Sequence, residues 1–376
     1  MADEYFSSTH PLLPPTSEDD RVLWLRLLRS RRVGISTFYR LMSEYGSAQN
    51  ALAQLPQIAQ DAGVDNYQSF SEAAALAEMK AGAKFGARLI FKGEASYPKP
   101  LYDLGDAPPM LWVKGNIDLL TRQSVAMVGA RNASSLGTRM AKYLAQDMGA
   151  HDWIIVSGLA RGIDAAAQTA SLSTGTIAVL GGGVDVFYPT ENRQLAEAIA
   201  EKGLLISEQP MGLQPMARHF PMRNRLISGL AKGVIVIEAA SKSGSLITAK
   251  NALDQGRDVL VVPGHPFDAR SSGCNMLLRD GATLVRNAED VIEALSSQMQ
   301  YAMDIPEPPA EPKRSLRETS QLHQKILDKL STSGLPEDQL IRDLKTSAPQ
   351  ISPVILDLEL AGKIERQAGG LLARKT

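Results

Sequence analysis

One cysteine, Cys274, stands among 376 residues. A single thiol excludes an intrachain disulfide and a multi-cysteine metal site, and it fits a reducing compartment. The five histidines, His10, His151, His219, His265 and His323, show no metal-ligand spacing, so no metal is expected. Net charge is close to absent as well, at -1. That argues against a basic protein coating nucleic acid over its whole surface, but leaves room for a local basic groove. No apolar run approaches the roughly 20 residues of a membrane span. The opening Met1-Ala-Asp-Glu-Tyr5 has neither the basic nor the apolar region of a secretory leader. The expectation is a soluble, cytoplasmic protein with no membrane contact.

What is present is a chain 44% hydrophobic, long enough for about two or three domains. Residues 1–20 are polar and proline-bearing and read as a flexible terminus. Helical spacing then begins near Arg21, resumes over Ser36–Tyr45 and Ser47–Leu55, and returns over Ser71–Phe85. This marks a small helical domain over 21–92. The Val33-Gly-Ile-Ser36 link suits a helix-hairpin-helix turn or plain helix packing, because glycine commonly ends helices. A proline-rich extended bridge follows over 93–120. From Ser124 the period changes to short apolar strands separated by helical stretches: Val125–Val128, Trp153–Val156, Thr176–Leu180, Leu204–Ser207, Val234–Ile237, Val259–Val262 and Thr283–Val285. Such strands predict an α/β fold with a mostly parallel sheet covered on both faces, in a domain over 93–298. A proline-rich linker occupies 299–316. Residues 317–376 read as helices over Leu322–Leu330, from Pro336 to Leu344 and over Ser352–Leu360. Two short strands, Lys363–Gln367 and Leu371–Arg374, complete a winged-helix pattern.

Open α/β sheets bind ligands at the carboxyl ends of their strands, where Gly/Ser turns at helix N-termini make anion sites. The first such end, Gly129-Ala-Arg-Asn-Ala-Ser134, has Arg131 where a dinucleotide loop would have its second glycine. The second is Ser157-Gly-Leu-Ala-Arg-Gly-Ile-Asp164, where Asp164 reads as a helix cap rather than a general base. The third is Gly181-Gly-Gly183. Further along come Phe220, Arg223, Asn224, Arg225 and the turn Ser243-Gly-Ser245. Arg131, Arg161, Arg223 and Arg225 with three glycine-rich turns predict one shared polyanion site. The dinucleotide fingerprint and the Walker loop are both absent in register. A chain of phosphates with exposed bases, single-stranded nucleic acid, fits arginines beside an aromatic ring. No nucleophile with its base is visible, so binding without catalysis or cofactor is expected.

These motifs carry a resemblance. Ser157–Asp164, Gly182-Gly-Val-Asp-Val-Phe-Tyr-Pro189, His219-Phe-Pro-Met-Arg-Asn-Arg-Leu-Ile-Ser-Gly229, Ser243-Gly-Ser-Leu-Ile-Thr-Ala249 and Val262-Pro-Gly264 resemble the DNA processing protein A (DprA/Smf) family. So do Tyr97-Pro-Lys-Pro-Leu101 and Pro108-Pro-Met-Leu-Trp-Val-Lys-Gly115. The head resembles that family's sterile-alpha-motif-like helical domain. The tail, with Leu358-Glu-Leu-Ala-Gly362, resembles its winged helix. The resemblance implies an extended Rossmann-like sheet and a homodimer that binds single-stranded DNA, protects it, and helps load the RecA recombinase during natural transformation. It implies that Arg131 holds a phosphate, with Gly129 and Ser134 as donors, and that Phe220 sits beside the strand. Gly158, Arg161, Gly162, Arg223, Asn224, Arg225, Ser243, Gly244 and Ser245 would line the same site. Dimer contacts would fall on Asn275, Met276, Leu277, Leu278 and Leu284. Members often carry lysines where this chain has Thr190 and Ala217, and Arg193 and Arg218 are the neighbouring substitutes.

Two other readings are open at this stage. A nucleoside-monophosphate phosphoribohydrolase on a related fold would need a Gly-Gly-x-Gly-Thr turn followed by a glutamate, and Ser243–Lys250 has no such acid. A protein-only scaffold would use the helical ends. The third helix of the tail carries Asp357 and Glu359 with no basic residue before Lys363, which favours protein contact over DNA reading.

Overall fold

The computed structural model describes residues 13–303, 316–331, 334–344, 351, 354–355, 358–359, 363–367 and 371–375. The chain divides into two compact units, Met1–Ala302 and Met303–Thr376.

The first unit opens with four helices, α1 (Glu18–Arg29), α2 (Ile35–Tyr45), α3 (Ala48–Asp61) and α4 (Glu72–Phe85). A capping box starts α1: Ser17 Oγ accepts from the Asp20 N–H at 3.1 Å, and the Asp20 carboxylate accepts from the Ser17 N–H at 3.3 Å. Its apolar face buries Val22, Trp24, Leu25 and Leu27. The helix expected to stop at Leu55 runs on to Asp61 through Pro56. Leu55 and Ile58 pack into the core on either side of that proline and hold the segment helical.

The rest of the unit is β1 (Arg88–Phe91), β2 (Met110–Gly115), β3 (Ser124–Gly129), α5 (Ser135–Ala150), β4 (Ile154–Ser157), α6 (Ile163–Ala170) and β5 (Thr176–Val179). Then follow α7 (Arg193–Lys202), β6 (Leu204–Ser207), α8 (His219–Leu230), β7 (Gly233–Ile237), α9 (Ser245–Asp254), β8 (Asp258–Val261), α10 (Ser272–Arg279), β9 (Thr283–Leu284) and α11 (Ala288–Met303). The strands form one sheet in the order β1-β2-β6-β5-β4-β3-β7-β8-β9. All seven strands expected from the apolar runs are present and pair in parallel. Two more strands were not foreseen. Residues 88–91 read as the end of the helical domain and 110–115 as part of a bridge, yet they form an antiparallel edge through β1–β2 and β2–β6.

That edge joins the head to the sheet. Trp24, Phe38 and Leu41 from the helices share one core with Phe91, Met110 and Trp112 from the edge and Leu205 from β6. Trp24 meets Phe38 edge-on at 5.1 Å and Phe91 at 5.9 Å. The Trp112 indole donates to Glu78 at 2.9 Å, and Glu78 pairs with Arg29 at 3.0 Å. Two further cores lie on the two faces of the parallel strands, one against α8 and α9 and one against α5, α6 and α11.

The second unit has α12 (Leu316–Lys329), β10 (Leu335–Pro336), α13 (Glu337–Asp343), β11 (Ile364–Gln367) and β12 (Leu371–Arg374), with its strands ordered β10-β12-β11. Ile326, Leu340, Ile355, Leu358 and Leu372 build its core. The expected third helix over 352–360 and the turn over 368–370 lie largely outside the described residues.

Candidate nucleic-acid interface

The strand order fixes where a ligand can enter. From β3 the chain adds β4, β5 and β6 to one side, whereas β7, β8 and β9 lie on the other. The loops leaving β3 and β7 therefore turn apart, and a crevice opens between the carboxyl ends of those strands. A cleft of about 870 Å³ occupies that position. Its walls come from the Gly129–Asn132 loop, from α8 with the segment before it, and from the turn into α9.

Arg131, exposed at the cleft, places its guanidinium 5.5 Å from the centre of the Phe220 ring. The other neighbour of Phe220 is Tyr188, ring to ring at 5.5 Å and 38°. Tyr188 is half exposed and lines the cleft. The result is a row of one guanidinium and two aromatic rings, each with a π-face that a base could meet. The sequence places Tyr188 in the Gly182–Pro189 motif without assigning it to the site. The available signal was an exposed-type aromatic a few residues after the Gly181–Gly183 turn. Lys242 and Arg270 also line the cleft unforeseen, and Arg270 is tied to Asp268 at 3.1 Å.

Behind this row the cleft is stiffened by internal bonds. Arg223 is buried, and its Nη1 donates to the Gly158 carbonyl at 2.7 Å and to the Val179 carbonyl. It thus clamps the ends of β4 and β5 together. Burial lowers its pKa to about 10, against the favourable charge of Asp164 and with added repulsion from Arg131. A side chain at Gly158 would have to push the Arg223 guanidinium off its carbonyl partners, because a Cβ there would meet Nη2 at 2.6 Å. Asp164 Oδ2 accepts from the N–H groups of Gly158 at 3.1 Å and Ala160 at 3.4 Å. It ties down the turn before α6 and is not the helix cap expected of it, since the start of α6 at Gly162 has no side-chain cap. Burial pushes its pKa up, and Arg223 pulls it back.

Several other expected residues meet here. Asn224 donates to the Gly244 carbonyl at 3.4 Å, Ser243 and Ser245 lie 2.7 Å apart through their hydroxyls, and all line the cleft with Gly244. Gly244 offers no side chain to cap α9. Ser243 does so instead, its hydroxyl accepting from the Ser245 N–H at 3.3 Å and its carbonyl from the Leu246 N–H at 3.1 Å, so the start of the helix borders the cleft with these N–H groups already bonded. Arg161 is exposed, faces Glu191 at 3.6 Å, and borders a small recess next to Arg131, Tyr188 and Phe220. Gly162 starts α6 with φ 77, a left-handed value that suits glycine.

Three expectations need correction, and a fourth residue, Arg218, borders the cleft only through its neighbour. Arg225 does not line the cleft. It pairs with Glu208 and with Asp106 at 3.3 Å, on the other side of α8. Two residues along a helix turn the side chain by about 200°, so Arg223 and Arg225 cannot share a face. Ser134 is not a free donor to a phosphate. Its N–H donates to Glu238 Oε2 at 2.8 Å, and its hydroxyl donates to Glu238 Oε1. The carboxylate fills the anion position at the start of α5, and Gly137 makes room for it, since a Cβ there would come within 2.4 Å of Glu238 Cδ. Arg193 lies away from the cleft, in a separate hollow of about 440 Å³ where it pairs with Glu197 at 2.9 Å. It begins α7, and that helix carries it outward. Arg218 is exposed just before α8, while its neighbour Ala217 is the residue that lines the cleft.

At the far edge of the sheet, Asn275 bonds internally, donating to the Gly264 carbonyl at 3.1 Å. Leu277 and Leu278 pack against the core, Met276 is half-buried, and Leu284 on the edge strand β9 is 47% exposed. Among the described residues no helix is long and apolar enough to cross a membrane. No cluster of three or more His, Cys, Asp or Glu side chains that could hold a metal ion occurs among them either.

Comparison with known proteins gives three family matches in sequence order. Residues 18–81 match the DprA-like N-terminal HHH domain, 88–296 the DNA recombination-mediator protein A family, and 308–370 the DprA winged helix domain. DNA processing protein DprA of Streptococcus pneumoniae is 48% identical over 198 residues, covering 52% of this chain and 70% of that protein. Protein Smf of Escherichia coli is 36% identical over 277 residues, covering 73% of this chain and 74% of that protein. The crystal structure of the Streptococcus pneumoniae protein superposes with a TM-score of 0.61 at 36% identity, over 75% of this chain and 98% of that one. DNA processing protein A from Helicobacter pylori, whose structure was described for its single-stranded DNA binding mode, superposes with a TM-score of 0.52 at 31% identity, over 56% and 96% of the two chains.

Proposed function

The chain belongs to the DNA processing protein A (DprA/Smf) family of recombination mediators, and on that premise we propose that its cleft binds single-stranded DNA without turning it over. The row of Arg131, Phe220 and Tyr188 is the observation that carries this reading. A cation beside two rings answers a phosphate beside its bases, which a simple phosphate would not require. Lys242 adds exposed positive charge, and the start of α9 adds a helix N-terminus. Asp164, the buried carboxylate of the cleft, is committed to main-chain N–H groups, which favours binding over acid–base chemistry.

The fuller role is to shield incoming strands during natural transformation and pass them to the RecA recombinase, an assignment that rests on family membership. A homodimer through α10 and β9 suits it. The open edge of β9 and exposed Leu284 offer a strand-edge contact.

The test is Arg131→Ala in an oligothymidylate titration at several salt concentrations. Each phosphate that the protein no longer neutralises should lower the log–log salt slope by about 0.7 for a single strand. Unchanged affinity and slope would remove Arg131 from the interface. Release of free base from nucleoside monophosphates would point to hydrolysis instead.

A further inference from the structure

A second cavity, of about 540 Å³, adjoins the cleft on the α5 side of the sheet. No residue lines both, but three segments of chain contribute to each. Arg131 and Asn132 line the first and Ser134 the second; Ala240 lines the first and Glu238 the second; Arg270 lines the first, flanked in sequence by Asp268 and Ser271 of the second. A strand leaving the cleft along any of these segments would pass towards the second cavity.

Its surroundings are unusual for a solvated surface. Leu136 is 71% exposed and Tyr143 52%, both beside the cavity on α5. Phe267 is 95% exposed, its ring 5.5 Å from that of His265, which lines the cavity. Three large apolar side chains left open around one hollow indicate a binding surface. Flat rings with an apolar floor from Met140 and Val262 suit a nucleobase. The charges sort what enters. Glu238 and Asp268 line the interior and repel a phosphate. The Glu238 carboxylate, which already accepts from Ser134, has further lone pairs for a base N–H. Arg139, exposed on the same helix face, stands where a phosphate could stay outside.

We propose that this cavity is a second nucleotide subsite. It takes the base of a nucleotide further along the strand held in the first cleft, with Tyr143 and Phe267 as stacking platforms and the backbone on the Arg139 side. The inference rests on the reading of the first cleft as a single-stranded DNA site, and adds to it the path the strand takes on leaving.

The experiment compares trithymidylate with dodecathymidylate on the full chain, using wild type, Phe267→Ala, Tyr143→Ala and Arg131→Ala. Both ring positions are exposed, so these variants keep the fold, which circular dichroism checks. The trimer should bind all but Arg131→Ala alike. The dodecamer should bind Phe267→Ala and Tyr143→Ala about 5- to 150-fold more weakly than wild type, the fold-change equivalent to about 1–3 kcal/mol of stacking per base. Dodecamer affinity unchanged in both ring variants, with Arg131→Ala weakened, overturns the second subsite and leaves the first standing. Equal weakening of trimer and dodecamer in the ring variants also overturns it, since the rings would then act on the first cleft. Arg131→Ala binding both oligomers like wild type would overturn the reading of the cleft itself, and the subsite with it.

Discussion

Two sides of helix α8 hold arginines two residues apart, and they are put to different uses. On the cleft side, Arg223 is buried and bonded to the carbonyl ends of two strands, while Arg131 reaches Phe220 from the facing loop. On the other side, Arg225 is locked to Glu208 and to Asp106, in the region where Arg29 of α1 also donates to the Glu208 carbonyl at 3.3 Å. One short motif thus contributes to the rigidity of a binding cleft and to the junction between head and sheet. A charge close in sequence to a site is not thereby part of it; helix phase and partners decide.

The sharpest way to break this contrast is to delete Arg223. Arg223→Ala leaves Asp164 buried without its cation and two carbonyls without their donor, so urea unfolding should show a loss of about 3–5 kcal/mol. A loss under about 1 kcal/mol would mean that Arg223 is not the clamp described. Arg225→Ala comes next, at about 2–3 kcal/mol, because it strips Glu208 of a charge-assisted bond. Its folded fraction should keep the wild-type salt slope for oligothymidylate; a reduced slope would return Arg225 to the interface. Ser134→Ala should cost about 1 kcal/mol by removing the N-cap of α5 and leave oligonucleotide affinity as it was. Weaker binding there would show that a phosphate competes with Glu238 for the same donors.

The smallest effect concerns pH. Burial raises the pKa of Glu208 above its ordinary value of 4.5, and Arg225 opposes the rise. The folded protein therefore keeps that proton to a higher pH than the unfolded chain. Its contribution to stability is present below about 4.5 and is lost as pH rises through the raised native value. Glu208→Gln should flatten that part of a stability-versus-pH curve. An identical curve for the variant would show that Glu208 does not titrate with consequence for stability.

Much of this architecture is legible in the sequence, for identifiable reasons. The parallel strands are buried on both faces and so appear as short apolar runs, such as Val234–Ile237. The edge strands β1 and β2 are hidden because four residues after a helix, and six after two prolines, have no pattern of their own. Pairing with β6 makes them strands. In the cleft, Arg131 and Phe220 are readable from motif chemistry. The bond between Ser134 and Glu238 spans 104 positions, and no local rule reports it. The division between Arg223 and Arg225 is available in principle, since a helix starting at His219 fixes their phase.

The core shared by the head and the antiparallel edge has a practical meaning for dissecting this protein. Phe91, Met110 and Trp112 are almost wholly covered, in a core to which Trp24, Phe38 and Leu41 belong. A fragment beginning after residue 86 would expose those rings and an indole deprived of Glu78, and would tend to precipitate. The boundary between residues 81 and 88 that separates two family matches is therefore a poor place to cut the chain.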